Sequence, residues 1–147
     1  MKIAMGADHG GFSLKETIKQ HLKEQGHEVL DLGTYDTASC HYPVYAEKVA
    51  RAVAAGQAER GILVCGTGIG MSIAANKIPG IRAAAVSDCF TAQATREHND
   101  ANILCLGERT VGPGLAMRIV DTYLAAQFQG GRHQTRLDMI AALEKAR

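Results

Sequence analysis

The sequence lacks the features that mark a membrane-spanning, secreted or nucleic-acid-binding protein. No apolar run approaches the roughly 20 residues that span a bilayer, and residues 1–30 lack the apolar segment of a signal peptide. The four cysteines show neither a CxxC spacing nor a paired framework. A net charge of +1 gives no reason to expect nucleic acid or a membrane surface as the main partner. We therefore expect a cytoplasmic protein with reduced thiols.

A chain of 147 residues predicts a single domain over residues 1–147, because this length buries roughly two thirds of the unfolded surface. Apolar segments with strand character begin near residues 2, 27, 61, 82 and 102, and segments with helical spacing lie between them. Ser13 and Glu16 form a capping-box pattern at the first helix. The alternation predicts a parallel sheet with helices on both sides. A last helix, predicted over residues 132–145, could pack on its own domain or on a second subunit.

Residues 61–75, with the sequence GILVCGTGIGMSIAA, predict a buried strand, a tight turn and the start of a helix. Glycines at 66, 68 and 70 allow a ligand to approach the main-chain N–H groups, which lie beside the positive end of the helix dipole. Cys65 ends the strand, where open parallel sheets bind ligands, and a helix N-terminus favours the thiolate of a nearby cysteine. Packing alone also explains many such turns and buried cysteines, so the turn by itself leaves ligand binding open.

Polar residues follow other predicted strands. Asp8 and His9 follow the first strand and Asp88 follows the fourth, so they share the Cys65 edge of the sheet. Residues 97–100 lie on the turn into the fifth strand, at the opposite edge unless the preceding helix is long enough to reach back. Taken alone, Asp8 and His9 could form a simple turn, and His98 could be a solvated residue stabilised at a helix C-terminus.

Two arginines near the C-terminus are spaced for anion binding. Arg132 and Arg136 are four residues apart and share a helix face, so together they could form charge-assisted bonds to a phosphate or carboxylate. A solvated basic face is the alternative interpretation, and Arg109 is similarly ambiguous.

Three common kinds of site do not fit. A dinucleotide fingerprint read from Gly66 requires glycine where Met71 stands, and no P-loop pattern is present. The His, Cys and carboxylate residues show no metal-ligand cluster, so we expect neither metal nor cofactor. Proton transfer next to a carbonyl group fits better, because it needs a base, N–H groups for enediolate oxygens, an acid, and basic side chains for a remote anion. The sequence offers each of these.

Five motifs in order resemble type B ribose-5-phosphate isomerase, in the family shared with galactose-6-phosphate isomerase subunits. They are GADHGG at 6–11, CGTGIG at 65–70, SIAANK at 72–77, REHNDAN at 96–102 and GGRHQTR at 130–136. The resemblance spans nearly the whole chain. It implies a Rossmann-like α/β three-layer sandwich with a five-stranded parallel sheet and a C-terminal helix at the dimer interface. It also implies a homodimer or a dimer of dimers, active sites between two subunits, and interconversion of ribose 5-phosphate and ribulose 5-phosphate through a cis-enediolate.

The resemblance also implies roles for individual residues. Cys65 is the base that moves a proton between C2 and C1, Thr67 assists at the substrate oxygens, and His98 opens the furanose ring with help from Asp8. The turn amides hold the enediolate, Asn99 lies near the sugar oxygens, and His9 and the arginines bind phosphate, some of them from the partner subunit. The implied substrate-binding residues are Asp8, His9, Gly66, Gly68, Ile69, Gly70, Asn99, Arg109, Arg132 and Arg136.

One branch of the family uses glutamate at the position of Met71. Because methionine accepts no proton, this chain belongs with the cysteine users. Galactose-6-phosphate isomerase pairs unlike subunits that each lack part of this set, whereas Cys65, His98 and both arginines occur here in one chain.

Two alternative functions stay open. Isomerisation of a 6-phosphohexose such as allose 6-phosphate needs the same chemistry with slightly more room. A non-catalytic phosphosugar-binding protein would need neither Cys65 nor His98.

Overall fold

The computed structural model describes residues 1–147 as five strands and six helices in strict alternation up to the last two helices. The strands are β1 (Lys2–Ala7), β2 (Glu28–Asp31), β3 (Arg60–Cys65), β4 (Ala83–Ala85) and β5 (Ile103–Gly107). The helices are α1 (Phe12–Glu24), α2 (Tyr42–Ala54), α3 (Ile69–Ala75), α4 (Cys89–Glu97), α5 (Pro113–Ala125) and α6 (Arg132–Lys145). None of the six helices combines the length and the apolar composition that a membrane span requires.

All strand pairs are parallel, in the order β2-β1-β3-β5-β4. Alternate residues of the central strands point to opposite faces of the sheet. Ile62 and Val64 belong to the core beneath α1, α4 and α5, whereas Leu63 and Cys65 belong to the core beneath α2 and α3. The sheet with helices on both faces confirms the predicted three-layer α/β architecture, and the Cys65 side chain points to its α2–α3 side.

Two predicted helix starts are wrong. Ser13 does not cap α1, which begins one residue earlier with Gly11 at the N-cap and no side-chain cap of its own. The hydrogen-bond acceptor that caps the first turn of α1 comes from a distant part of the chain instead. The Leu14 N–H donates to Glu108 Oε1 at 2.7 Å. Helix α2 starts at Tyr42 rather than residue 44, with Pro43 in its first turn, where a missing N–H costs no helical hydrogen bond.

Helix α6 leaves most of its apolar residues uncovered. Its bounds match the predicted 132–145, and it buries only His133 and Leu137. The side chains of Met139, Ile140 and Leu143 are 65%, 52% and 73% exposed, respectively. The helix is tied back to the sheet layer by Glu144, which accepts a hydrogen bond from the Gly80 N–H. An apolar helix surface of this kind is typical of a segment that meets another chain.

A buried ion-pair network fixes the end of β2 against α1. Lys15 is fully buried, and its Nζ contacts both carboxylate oxygens of Asp31 at 2.7 and 2.8 Å. Lys19 bonds the same carboxylate and also Glu16. Burial alone raises the pKa of Asp31, but the hydrogen bonds from the two lysines outweigh burial and hold this pKa below its ordinary value of 3.8.

We expect Asp31→Asn to lower the free energy of unfolding by about 3 kcal/mol at pH 7, because it leaves the Lys15 ammonium buried with less compensation. Urea unfolding measures this loss. The stabilisation from a carboxylate with a lowered pKa is fully present above its ordinary value and is lost as pH falls through the folded value. The difference between wild type and Asp31→Asn should therefore narrow below about pH 4. Glu47→Gln, which breaks only the exposed pair with Arg51, is the control and should change stability by less than about 1 kcal/mol.

Candidate active site

The thiol of Cys65 lies in the glycine-rich turn between β3 and α3. The side chain is 5% exposed, and the Gly68 N–H donates to Sγ at 3.1 Å. The sulfur is therefore held by a backbone donor of the turn. Gly68 adopts φ +80°, a left-handed conformation in which glycine is not strained, and this turns the chain into α3. The sequence prediction of a strand, tight turn and helix start is confirmed.

Several backbone donors of this turn are free. The N–H groups of Gly66, Thr67 and Gly70 donate no hydrogen bond within the chain, whereas the Ile69 N–H donates weakly to Thr67 Oγ1 at 3.3 Å. Thr67 and Ile69 are exposed. A cradle of unpaired N–H groups beside a thiol is suited to hold oxygens that become negatively charged while the sulfur exchanges a proton with a neighbouring carbon.

The loop after β1 lies against the same turn. A Cβ on Gly10 would lie 3.5 Å from the Gly66 nitrogen. Asp8 Oδ1 accepts the N–H groups of Gly10 and Gly11, which leaves Oδ2 without a hydrogen bond. The His9 Nδ1 accepts the Cys40 N–H at 3.2 Å, so the neutral ring carries its proton on Nε2. Asp8 and His9 are therefore at the Cys65 edge, as their position after β1 predicts.

The loop after β5 completes this edge. The N–H groups of Glu108 and Arg109 donate to the carbonyls of Cys65 and Gly66 at 2.8 and 3.0 Å. The exposed Arg109 side chain runs past Gly66, whose added Cβ would lie 3.4 Å from Arg109 Cδ. Since Glu108 also caps α1 through Leu14, one loop fixes both the arginine and the helix that follows Asp8.

Sequence analysis missed Tyr42 and Glu108 as parts of this edge. The Tyr42 ring covers Gly70 so closely that an added Cβ would lie 2.7 Å from the ring. The only local signals are a tyrosine before proline at a helix start and an acidic residue after a strand-ending glycine. Asp88, predicted at the same edge, caps α4 by accepting the Thr91 N–H at 2.7 Å.

The His98 group lies at the opposite, amino edge of the sheet. His98 is the C-cap that follows α4, and the turn after it leads into β5 at Ile103, which pairs with Gly61 at the start of β3. Cys65 instead pairs with Gly107, so the length of a strand, roughly 13 Å, separates the two edges. Helix α4 does not carry His98 back to the Cys65 edge.

Buried side chains hold the turn that carries His98 and Asn99. The Arg96 guanidinium donates to Asp100 Oδ1 and to the Ala101 carbonyl, each at 2.8 Å. The Tyr123 hydroxyl donates to the same carbonyl at 2.8 Å. His98 is half-buried and Asn99 is exposed on this fixed turn. Both side chains are thus presented at the surface by a rigid support.

Helix α6 brings the two predicted anion-binding arginines to the same edge. His133 stacks on His98 with ring centroids 4.3 Å apart and planes inclined by 11°. Burial lowers the pKa of His133 most, and the nearby His98, Arg132 and Arg136 lower it further. Its ring is therefore neutral at neutral pH. Arg132 and Arg136 are exposed and form no ion pair within the chain, as is also true of Arg109. Free guanidinium groups of this kind are available to an anion.

The predicted site residues thus form two groups within one chain. The Cys65 edge carries Asp8, His9, Cys65, Gly66, Thr67, Gly68, Ile69, Gly70 and Arg109, and the His98 edge carries His98, Asn99, Arg132 and Arg136. Each group is chemically incomplete, because the thiol and its amide cradle lie on one edge and the half-buried imidazole lies on the other.

A Rossmann-like α/β sheet with a thiol in an amide cradle, an accessible imidazole and unpaired guanidinium groups defines a candidate acid–base enzyme for an anionic substrate. Comparison with known proteins makes this more specific. A family model described as Ribose/Galactose Isomerase matches residues 3–140. The chain belongs to this family, as its five motifs predicted.

Individual relatives agree over nearly the full length. Ribose-5-phosphate isomerase B of Escherichia coli strain K12 is 54% identical, and the match covers 99% of this chain and 98% of the relative. The solved structure of Clostridium thermocellum ribose-5-phosphate isomerase B has a TM-score of 0.99 and 57% identity, with 99% of each chain covered. The Mycoplasma genitalium ribose-5-phosphate isomerase B structure with bound ribulose-5-phosphate has a TM-score of 0.93 and 44% identity, covering 98% of this chain and 96% of that one.

Proposed function

We propose that this chain interconverts ribose 5-phosphate and ribulose 5-phosphate by proton transfer through a cis-enediolate. The observation that carries the proposal is the Cys65 turn, in which a thiol accepts the Gly68 N–H beside unpaired N–H groups of Gly66, Thr67 and Gly70. The relatives that share nearly the whole sequence act on this sugar phosphate by name, which supports the same substrate here. The reaction belongs to the non-oxidative part of pentose phosphate metabolism.

At the Cys65 edge, the thiolate takes the proton from C2 of the open-chain aldose. The electron pair of the C–H bond forms the C1–C2 double bond, and the carbonyl electrons move to O1. The turn amides hold O1 and O2 of the resulting enediolate, and Thr67 donates to one of these oxygens. A proton passes from the O2 hydroxyl to O1, and the proton on Cys65 then goes to C1 as the O2 carbonyl forms, which yields the ketose. One sulfur therefore serves as base and acid in turn.

The His98 group supplies ring opening and phosphate binding. The dominant form of the aldose is a ring, so a proton must leave the C1 hydroxyl while the ring oxygen gains one. His98, assisted by Asp8, carries out this exchange, and Asn99 binds sugar hydroxyls. Arg132 and Arg136, together with His9 and Arg109, hold the phosphate through charge-assisted bonds.

We propose further that each active site forms between two copies of the chain. Cys65 and His98 lie on opposite edges of one sheet, so neither edge alone offers all the required groups. In a two-fold dimer the Cys65 edge of one protomer meets the His98 edge of the other, and the same contact occurs twice. The apolar side chains of Ile140 and Leu143 on α6, and of Ile69 and Ile73 on α3, are more than half exposed and would be buried in this dimer.

The domain organisation, the oligomeric state and the cellular compartment are part of the same proposal. Residues 1–147 act as one catalytic domain, and two such chains or a dimer of dimers form the working enzyme. The four cysteines are free, which supports a reducing cytoplasmic compartment.

Steady-state assays of ribose 5-phosphate and allose 6-phosphate, both in the presence of a chelator, test the proposal. We expect turnover of the pentose with the higher kcat/KM. Preference for the hexose would retain the mechanism but change the substrate, and no turnover of either sugar would favour a phosphosugar-binding protein. We expect the chelator to leave the rate unchanged, because in the proposed reaction side chains alone transfer the protons.

A further inference from the structure

His133 is a buried polar residue with a ring nitrogen that has no hydrogen-bond partner. It is 6% exposed, and its Nε2 has no hydrogen-bond partner. A buried nitrogen without a partner costs free energy, so hydrogen bonding does not explain the position of this ring. The close contact that the ring does make is the parallel stack on His98. Its backbone is held separately, because the His133 N–H donates to the Gly130 carbonyl at 3.0 Å and the neighbouring Gln129 N–H donates to the Glu97 carbonyl at 3.0 Å.

The stack restricts the His98 side chain. His98 follows the last residue of α4 and is only half-buried, so part of this residue is open to solvent. No hydrogen bond within the chain fixes either ring nitrogen of His98. A parallel ring 4.3 Å away limits rotation about the side-chain bonds while leaving both nitrogens free to exchange protons.

From this geometry we propose that His133 is a positioning residue for ring opening, holding the His98 imidazole by stacking in the orientation that reaches the C1 hydroxyl and the ring oxygen. The inference rests on the proposed isomerase function and adds a residue to it. The Nε2 of His133 is buried and does not reach the reacting atoms. A neutral His133 ring also adds no charge repulsion when His98 takes up a proton.

The two directions of the reaction separate this role from a structural one. Ribose 5-phosphate must open before isomerisation, whereas ribulose 5-phosphate carries its phosphate on O5 and forms no such ring. Starting from the ketose, the enzyme can release an open-chain aldose that closes in solution. At saturating substrate, a defect in ring opening therefore lowers kcat selectively in the aldose direction, whereas loss of folded enzyme lowers kcat equally in both directions.

We would measure initial rates in both directions for wild type, His133→Ala and His133→Phe, with His98→Asn as the reference for lost ring opening. We expect His133→Ala to lower kcat in the aldose direction at least about tenfold more than kcat in the ketose direction, because at saturating aldose the closed ring occupies the site. His133→Phe keeps a stacking ring and should retain the wild-type ratio of the two directions. Equal slowing in both directions, or an unchanged ratio in His133→Ala, would overturn the positioning role. A wild type without turnover in either direction would instead overturn the proposed function.

Discussion

Cys65→Ala should lower kcat for ribose 5-phosphate by about 1,000-fold or more, in the range of losses seen when a general base is removed. The variant keeps the turn amides and the free arginines, so KM should change far less than kcat. Steady-state kinetics in both directions measure the effect, and kcat should fall in each, because the proton transfer at C1 and C2 is common to both. The expected loss is the largest for any single side chain of the site.

Two other cysteines provide a comparison for this variant. Cys89 is half-buried in the first turn of α4 and packs against the core on the opposite face of the sheet from Cys65, so Cys89→Ala should retain the wild-type kcat. Burial raises the pKa of Cys105 well above its ordinary value, and this thiol therefore stays protonated and unsuited to act as the base. A Cys65→Ala enzyme with kcat within tenfold of wild type would show that another group carries the proton.

Mixing two inactive variants should restore activity, and this is the second large effect that we expect. A Cys65→Ala chain keeps His98, and a His98→Asn chain keeps Cys65. In a heterodimer of the two, one shared site contains both intact residues and the other contains both substitutions. Heterodimers purified through two different affinity tags should therefore show about half of the wild-type turnover per dimer on ribose 5-phosphate, although each parent is nearly inactive.

The reciprocal heterodimer is the matched control. Here one chain carries both Cys65→Ala and His98→Asn, and the other chain is wild type. Shared sites would each contain one substitution, so this dimer should be nearly inactive. Sites confined to a single chain would reverse both results, giving an inactive first heterodimer and a half-active second one. The pair of experiments therefore separates the two architectures with the same substitutions in each sample.

Local pattern was sufficient to predict much of this molecule. The strand, turn and helix around Cys65 follow from an apolar run and alternate glycines, because both act within a few residues. The bounds of α6 were predicted correctly from Gly131 and the helical sequence after it. Placement of Asp8 beside Cys65 also followed, since parallel strands bring their carboxyl ends to one edge.

Features that depend on distant segments could not be predicted in this way. Ser13 has the right spacing for a cap, yet Glu108 caps α1, and only the folded sheet brings it there. The edge on which His98 lies depends on the length of α4, which its local sequence does not fix. The stack of His133 on His98 and the packing of Tyr42 on Gly70 depend on the angles at which helices cross the sheet.

The proposed sharing of each site between two chains also bears on how such a protein can evolve. After gene duplication, one copy can lose the His98 side and the other the Cys65 side while their mixed dimer keeps one complete site. Neither loss is lethal as long as the other copy persists, so both chains become indispensable. A catalyst built from identical subunits can in this way drift into an obligate pair of unlike ones, without any intermediate that lacks activity.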